Sequence, residues 1–282
     1  MKIKSVKIVS FSPTGNSKKV AGAIAQAIKA PIEQVNLTSP SARTQKYEEF
    51  NDELVIVASP VYVGRIPSEA AHRIRRLKAN KTPTVLVITY GNRAYEDALK
   101  ELSDIVSEVG FNPIAACAFI GEHAWSMPET PLAQGRPNSE DLVKAEEFGE
   151  QIKKKYEDTS DIKDISPVSV PGVNPYTIYP NRIEIPKLMS PYSDEELCTK
   201  CGACVEACPT AAVSIKSVGS NPSPRVGVNA RMVCTDESAC VWCAACVRSC
   251  PTGARIRRPM MLFHSGRLSK TYGEWKEPET YL

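Results

Sequence analysis

Five short apolar runs punctuate the first half of the chain: Val6–Phe11, Ile32–Leu37, Leu54–Ser59, Thr84–Tyr90 and Pro113–Ile120. They are rich in Val and Ile, which predicts strands buried on both faces of a parallel sheet. Between them the period changes. In Ser17–Ala30, Val20, Ile24 and Ile28 recur every fourth residue and make one apolar stripe. Pro67–Leu77, Ala94–Val109 and Ser139–Tyr156 are the other predicted helices, with Ser139 as the N-cap of the last. Strands alternating with crossover helices predict a doubly wound α/β domain over residues 1–158. Its ligand should lie beyond the carboxyl ends of the strands.

After residue 158 the pattern breaks. Pro167, Pro171, Pro175, Pro180, Pro186 and Pro191 interrupt every long element, so 159–191 reads as a connector. Its interleaved Val, Ile and Tyr residues predict a segment draped over a surface. Residues 192–258 hold a cysteine repeat. The tail, 259–282, carries Met260, Met261, Leu262, Phe263, Trp275 and Tyr281, and that apolar content predicts packing back on the body.

Composition narrows the classes. A length of 282 residues suits about two domains. A formal net charge of +3 gives no case for nucleic acid. No apolar run reaches the roughly 18–20 residues of a membrane span. The basic-then-apolar start is too short for a signal peptide, and Thr14-Gly15-Asn16 stands where a cleavage site would be. These features predict a cytoplasmic protein; they leave its oligomeric state open.

Nine of the ten cysteines lie between Cys198 and Cys250. Without a secretion signal, such crowding favours metal over disulfides. The runs 198–210 and 240–252 both read C-x2-C-x2-C-x3-C-P, the spacing that binds [4Fe–4S] clusters in bacterial ferredoxins, with the fourth cysteine on the other cluster. One cluster would take Cys198, Cys201, Cys204 and Cys250, and the other Cys240, Cys243, Cys246 and Cys208. Zinc sites usually pair two C-x2-C halves and do not need the third close cysteine. Cys234 fits neither set and reads as a buried thiol.

The first strand runs into Ser12-Pro13-Thr14-Gly15-Asn16-Ser17, and a helix follows at once. Hydroxyls and backbone N–H groups at a helix N-terminus suit a phosphate. The loop is neither G-x-x-x-x-G-K-[ST] nor G-x-G-x-x-G, which argues against nucleotide hydrolysis and a dinucleotide site. It resembles the [ST]-x-T-G-x-[ST] loop of flavodoxins. The resemblance implies FMN and a five-stranded parallel sheet of order 2-1-3-4-5. It extends to Pro60, Val61, Tyr62, Val63 and Gly64 after the third strand, and to Thr89, Tyr90, Gly91, Asn92 and Tyr95 after the fourth. In that family these loops enclose the isoalloxazine ring, so Tyr62 and Tyr90 are stacking candidates and Gly64 a site for a peptide facing flavin N5.

The whole chain resembles the flavodoxin–ferredoxin fusion proteins of anaerobic bacteria and archaea, with a small α+β ferredoxin-like domain second. The stretches Gly121-Glu122-His123 and Gly135-Arg136-Pro137-Asn138 belong to the resemblance. His123 has two readings, a flavin donor or proton shuttle and an ordinary structural histidine. Trp125 either lies over the flavin or fills the gap between domains. FMN with two clusters implies a soluble electron-transfer protein that serves low-potential partners such as ferredoxin. Two alternatives stand beside it: an FMN-dependent reductase of a small substrate, and a permanent subunit of a larger oxidoreductase docked through Met260–Phe263.

Overall fold

The computed structural model describes residues 2–161, 165–177, 189–217 and 231–282, without the side chains of 260–264. Pro180 and Pro186 of the connector, and the side chains of Met260–Phe263, lie outside the described residues.

The core is one sheet between two helical layers. Strands β1 (Val6–Ser10), β2 (Ile32–Asn36), β3 (Leu54–Pro60), β4 (Thr82–Tyr90) and β5 (Phe111–Ile120) run parallel in the order 2-1-3-4-5. Val85 and Val87 of β4 face one layer, while Leu86 and Ile88 face the other, as a period of two requires. The first layer holds α1 (Asn16–Ile28) and α4 (Ser139–Asp158); the second holds α2 (Ser68–Ile74) and α3 (Ala98–Glu108). Gly149 lets α4 lie close on α1, since a Cβ there would stand 2.4 Å from the Ile24 carbonyl oxygen.

Several boundaries differ from the sequence reading. The α4 N-cap is Asn138, not Ser139: Asn138 Oδ1 accepts from Asp141 N and Asp141 Oδ2 from Asn138 N, a reciprocal capping box. Helix α3 starts at Ala98 because Asn92 and Glu96 adopt positive φ and hold the chain in turns. Strand β2 is exposed along most of its length, because it is the sheet's edge.

The sheet also has a sixth strand. Residues Glu279–Tyr281 (β10) pair antiparallel with β5, Thr280 opposite Cys117. Val168 N donates to the Pro113 carbonyl at 2.7 Å, and Ile165 is buried in the core. Farther along the connector, both carboxylate oxygens of Asp97 accept backbone N–H groups, from Val173 and Thr177.

The cysteine-rich part is small and twofold. Strand β6 (Tyr192–Ser193) pairs with β9 (Arg255–Ile256), and β7 (Val213–Ser217) with β8 (Arg231–Thr235). Two one-turn helices, α5 (Ala203–Glu206) and α6 (Ala245–Arg248), pack together. Lys200, Gly202 and Ala211 have positive φ, and so do Trp242, Ala244 and Gly253. Each pair is 42 positions apart, the same offset that separates Cys198 from Cys240. The backbone repeats as the cysteines do. Helix α7 (Pro259–Tyr272) then returns the chain to the sheet domain.

Candidate functional site

At the carboxyl end of β1 the chain turns through Ser12–Gly15 into α1. Gly15 sits at the N-cap with φ 88° and has no side chain to cap with. Ser12 Oγ accepts from Lys18 N at 3.1 Å, and Ser12 N donates to Thr38 Oγ1 at 2.8 Å. The first turn of α1 holds no acidic residue, so the positive end of its dipole opens on the loop. Ser17 Oγ meets Thr89 Oγ1 at 2.7 Å and ties this loop to the end of β4.

A cavity of about 510 Å³ opens beside the loop. The strand ends supply Thr14, Asn16, Pro60, Val61, Tyr62, Val63, Thr89, Tyr90, Gly91, Arg93 and the segment 121–125 with His123. The cysteine domain supplies Val241, Trp242 and Cys243, and α7 supplies Arg267, Leu268, Thr271 and Tyr272. Ser12, Pro13, Gly15 and Ser17 of the same loop do not line it. Gly64 is buried, and a Cβ there would stand 1.6 Å from Glu96 Oε2, a carboxylate held by Arg93 through both its oxygens. Asn92 and Tyr95 do not reach the cavity lining. Asn92 Nδ2 donates to the carbonyls of Tyr272 and Glu274 at 2.6 and 2.7 Å. The Tyr95 hydroxyl meets Glu279 and Tyr281 at 2.7 and 2.9 Å.

Val63 and Gly64 both have positive φ, 53° and 73°, between reciprocal hydrogen bonds of Tyr62 and Arg65. This two-residue turn carries Tyr62 to the cavity. Burial raises the Tyr62 phenol, and the sulfurs of Cys243 and Cys240 raise it further. Tyr90, at the end of β4, is pushed up to about 12, chiefly by burial. Burial, with the nearby charges of Arg248, Arg93 and Arg257, pushes His123 down to about 4. His123 is therefore neutral at neutral pH. Its Nδ1 accepts from Trp125 N at 3.0 Å, which leaves the proton on Nε2.

Three arginines fasten the two parts together. Arg73, wholly buried, donates Nη2 to the Pro209 carbonyl at 2.6 Å. Arg248 Nη2 donates to His123 O at 3.2 Å and pairs with Glu122. Arg257 Nη2 donates to Ala124 O at 3.0 Å. Trp125 meets His123 edge-on, and its carbonyl accepts from Ser265 of α7.

Two smaller cavities lie in the cysteine domain. Cys198, Cys201, Cys204 and Cys250 line one; Cys208, Cys240, Cys243 and Cys246 line the other. Each takes three sulfurs from one run and one from the other. The donor set suits iron–sulfur clusters. Thiolates are the ligands such clusters take, and backbone N–H groups reach the sulfurs, as Ala212 N does Cys208 Sγ at 3.2 Å. Among the described residues, no three His, Cys, Asp or Glu side chains converge on a single metal ion. Among the described residues, the buried Nε of Arg255 and the buried indole N–H of Trp242 have no hydrogen-bond partner. Cys234 is half-buried in β8 and lines neither cavity.

A flavodoxin domain model matches residues 7–115, and a 4Fe–4S dicluster domain model matches 197–254. The chain thus carries a flavodoxin domain followed by a dicluster domain, the order of a flavodoxin–ferredoxin fusion. The domains imply FMN and two [4Fe–4S] clusters as cofactors, and make this a flavin and iron–sulfur electron-transfer protein. No curated protein matches the chain. Among solved structures, an archaeal flavodoxin is 15% identical, with 55% of this chain and 99% of that one covered and a TM-score of 0.35. The two-electron reduced flavodoxin of Megasphaera elsdenii is 15% identical (53% and 98% covered, TM-score 0.32). Oxidised flavodoxin 1 from Bacillus cereus is 17% identical (54% and 97%, 0.36). Among the described residues, no helix is long and apolar enough to cross a membrane.

Sequence reasoning did not find the α7 residues, Arg93, or the Val241–Cys243 face of the large cavity. Trp242, an aromatic between two cluster cysteines, was the available signal.

Proposed function

We propose that this protein relays electrons between a low-potential redox partner such as ferredoxin, two clusters and FMN. The loop from Ser12 to Ser17 would hold the FMN phosphate. The large cavity would hold the flavin ring between Tyr62, Tyr90 and the 121–125 segment. The two sets of four cysteines would hold the clusters. When bound, the clusters exchange single electrons and the flavin one or two.

The observation that carries the reading is Cys243. With Val241, it lines both the large cavity and the cavity of Cys208, Cys240 and Cys246. One cysteine thus stands in the wall between an iron–sulfur site and a flavin site. The other set is the outer one, with Cys201 exposed where a partner can approach. Electron exchange would take place in the cytoplasm, where thiols stay reduced.

The test is rapid-mixing reduction of the FMN-loaded, iron-reconstituted protein by a reduced ferredoxin. Flavin bleaching should be at least roughly a hundredfold slower in FMN-loaded protein without iron. Equal rates would sink the relay.

The reductase reading is favoured by α7. Arg267, Leu268, Thr271 and Tyr272 cover the cavity that a simple carrier would leave open to its partner. If it holds, small acceptors able to enter the cavity will reoxidise the reduced protein faster than a second redox protein does.

A further inference from the structure

Arg255 is out of place by the logic of its own repeat. The 42-residue offset that relates Cys198 to Cys240 relates Val213 to Arg255. Val213 is a buried apolar residue beside the cavity of Cys208, Cys240, Cys243 and Cys246. The second half puts a guanidinium at the matching place. Arg255 is only 3% exposed. It lines both cysteine cavities, and among the described residues it is the only one that does.

Its partners are neutral or sulfur. Nη1 donates to Ser193 Oγ at 3.0 Å, and Nη2 to Pro191 O at 3.0 Å and Thr235 Oγ1 at 2.9 Å. Nη2 also lies 3.7 Å from Cys246 Sγ, and Nε has no hydrogen-bond partner among the described residues. Among the described residues it makes no ion pair, although its neighbour Arg258 has Glu237. A buried guanidinium without an opposite charge is costly. What fills the two cavities would supply the opposite charge.

We propose that Arg255 is the shared counter-charge of both clusters and raises their reduction potentials, most at the set that includes Cys246. This rests on the cluster reading above. Reduction adds one electron to a cluster and breaks no bond, so the fixed positive charge between the sites favours the reduced form of each.

The test uses the full chain, reconstituted with iron, sulfide and FMN, as wild type, Arg255→Val, Arg255→Gln and Arg255→Lys. Iron and sulfide are counted first and should be about eight each per chain. Midpoints then come from an EPR-monitored titration. Val and Gln should lower the ratio of reduced to oxidised cluster at fixed potential about tenfold, which is about 59 mV for one electron. Lys should keep more than half of that difference. Gln retains amide hydrogen bonding, so it gives the answer if Val fails to fold. Full iron with unmoved midpoints overturns the inference, and so does a Lys variant that shifts as far as Val. A chain that takes up no iron overturns the cluster reading and the inference with it.

Discussion

Arg73 reaches out of the sheet domain and places its Nη2 2.6 Å from the carbonyl oxygen of Pro209, the residue directly after Cys208. Its Nε is held by Glu69 at 2.8 Å, and Nη1 binds the carbonyls of Thr38 and Ser39. One wholly buried side chain thus joins α2, the loop after β2 and a cysteine loop. Arg73→Met should cost about 2–4 kcal/mol, because charge-assisted bonds are lost and carbonyls are left buried without donors. Urea denaturation of the apoprotein checks it; a loss under about 0.5 kcal/mol would mean the contact is incidental.

His123 makes stability depend on pH. Its folded value of about 4 lies below the ordinary value of 6.5. Above about pH 6.5 both folded and unfolded forms are neutral, and the contribution is complete. As pH falls toward 4 the unfolded chain takes up the proton first, so stability declines across that window. His123→Asn keeps an acceptor for Trp125 N and should flatten this part of a melting-temperature profile of the flavin-free protein. An unchanged slope would assign it to other groups.

Val63 is a β-branched residue at φ 53°, followed by Gly64 at 73°. Paired left-handed residues in a two-residue turn favour Asn-Gly. Val63→Asn should stabilise the protein by about 0.5–1 kcal/mol by relieving the backbone. Val63 is 40% exposed, so little burial is forfeited. Destabilisation of the variant would show that Val63 contributes packing that outweighs the turn.

The tail supports the cavity from behind. Glu274 O holds Asn92, Lys276 Nζ donates to Arg93 O, and Tyr281 meets Tyr95. Deleting residues 274–282 should weaken FMN binding about tenfold, or ~1.4 kcal/mol, in a fluorescence titration. Tyr281→Phe, which removes one hydroxyl contact, should change it less than threefold. Unaltered affinity in the deletion would separate the tail from the site.

Much of this architecture is visible in the residues. The runs of Val and Ile at β1, β3 and β4 are buried on both faces, so their composition alone marks them. The two small cavities group the cysteines as the spacing does. What escaped reading depends on tertiary neighbours. Ile32–Asn36 looks like the other strands, but nothing local says that it lies at the edge. Glu279-Thr280-Tyr281 is too short to show a period. Arg93 and Leu268 reach the cavity through where a turn and α7 fall, a matter of packing rather than pattern. Asn138 outcompetes Ser139 as cap because Asp141, three residues on, completes the reciprocal pair.

The antiparallel strand β10 has a consequence for how the molecule is made. Its partner β5 leaves the ribosome far ahead of it, with the entire dicluster region synthesised in between. The sheet therefore begins with a vacant edge and is finished only after the cysteine loops have emerged. In topological terms the dicluster unit is an insertion anchored at both ends, not an appendage on a tether. Cofactor assembly in that insertion and closure of the sheet edge then become steps whose order in the cell matters.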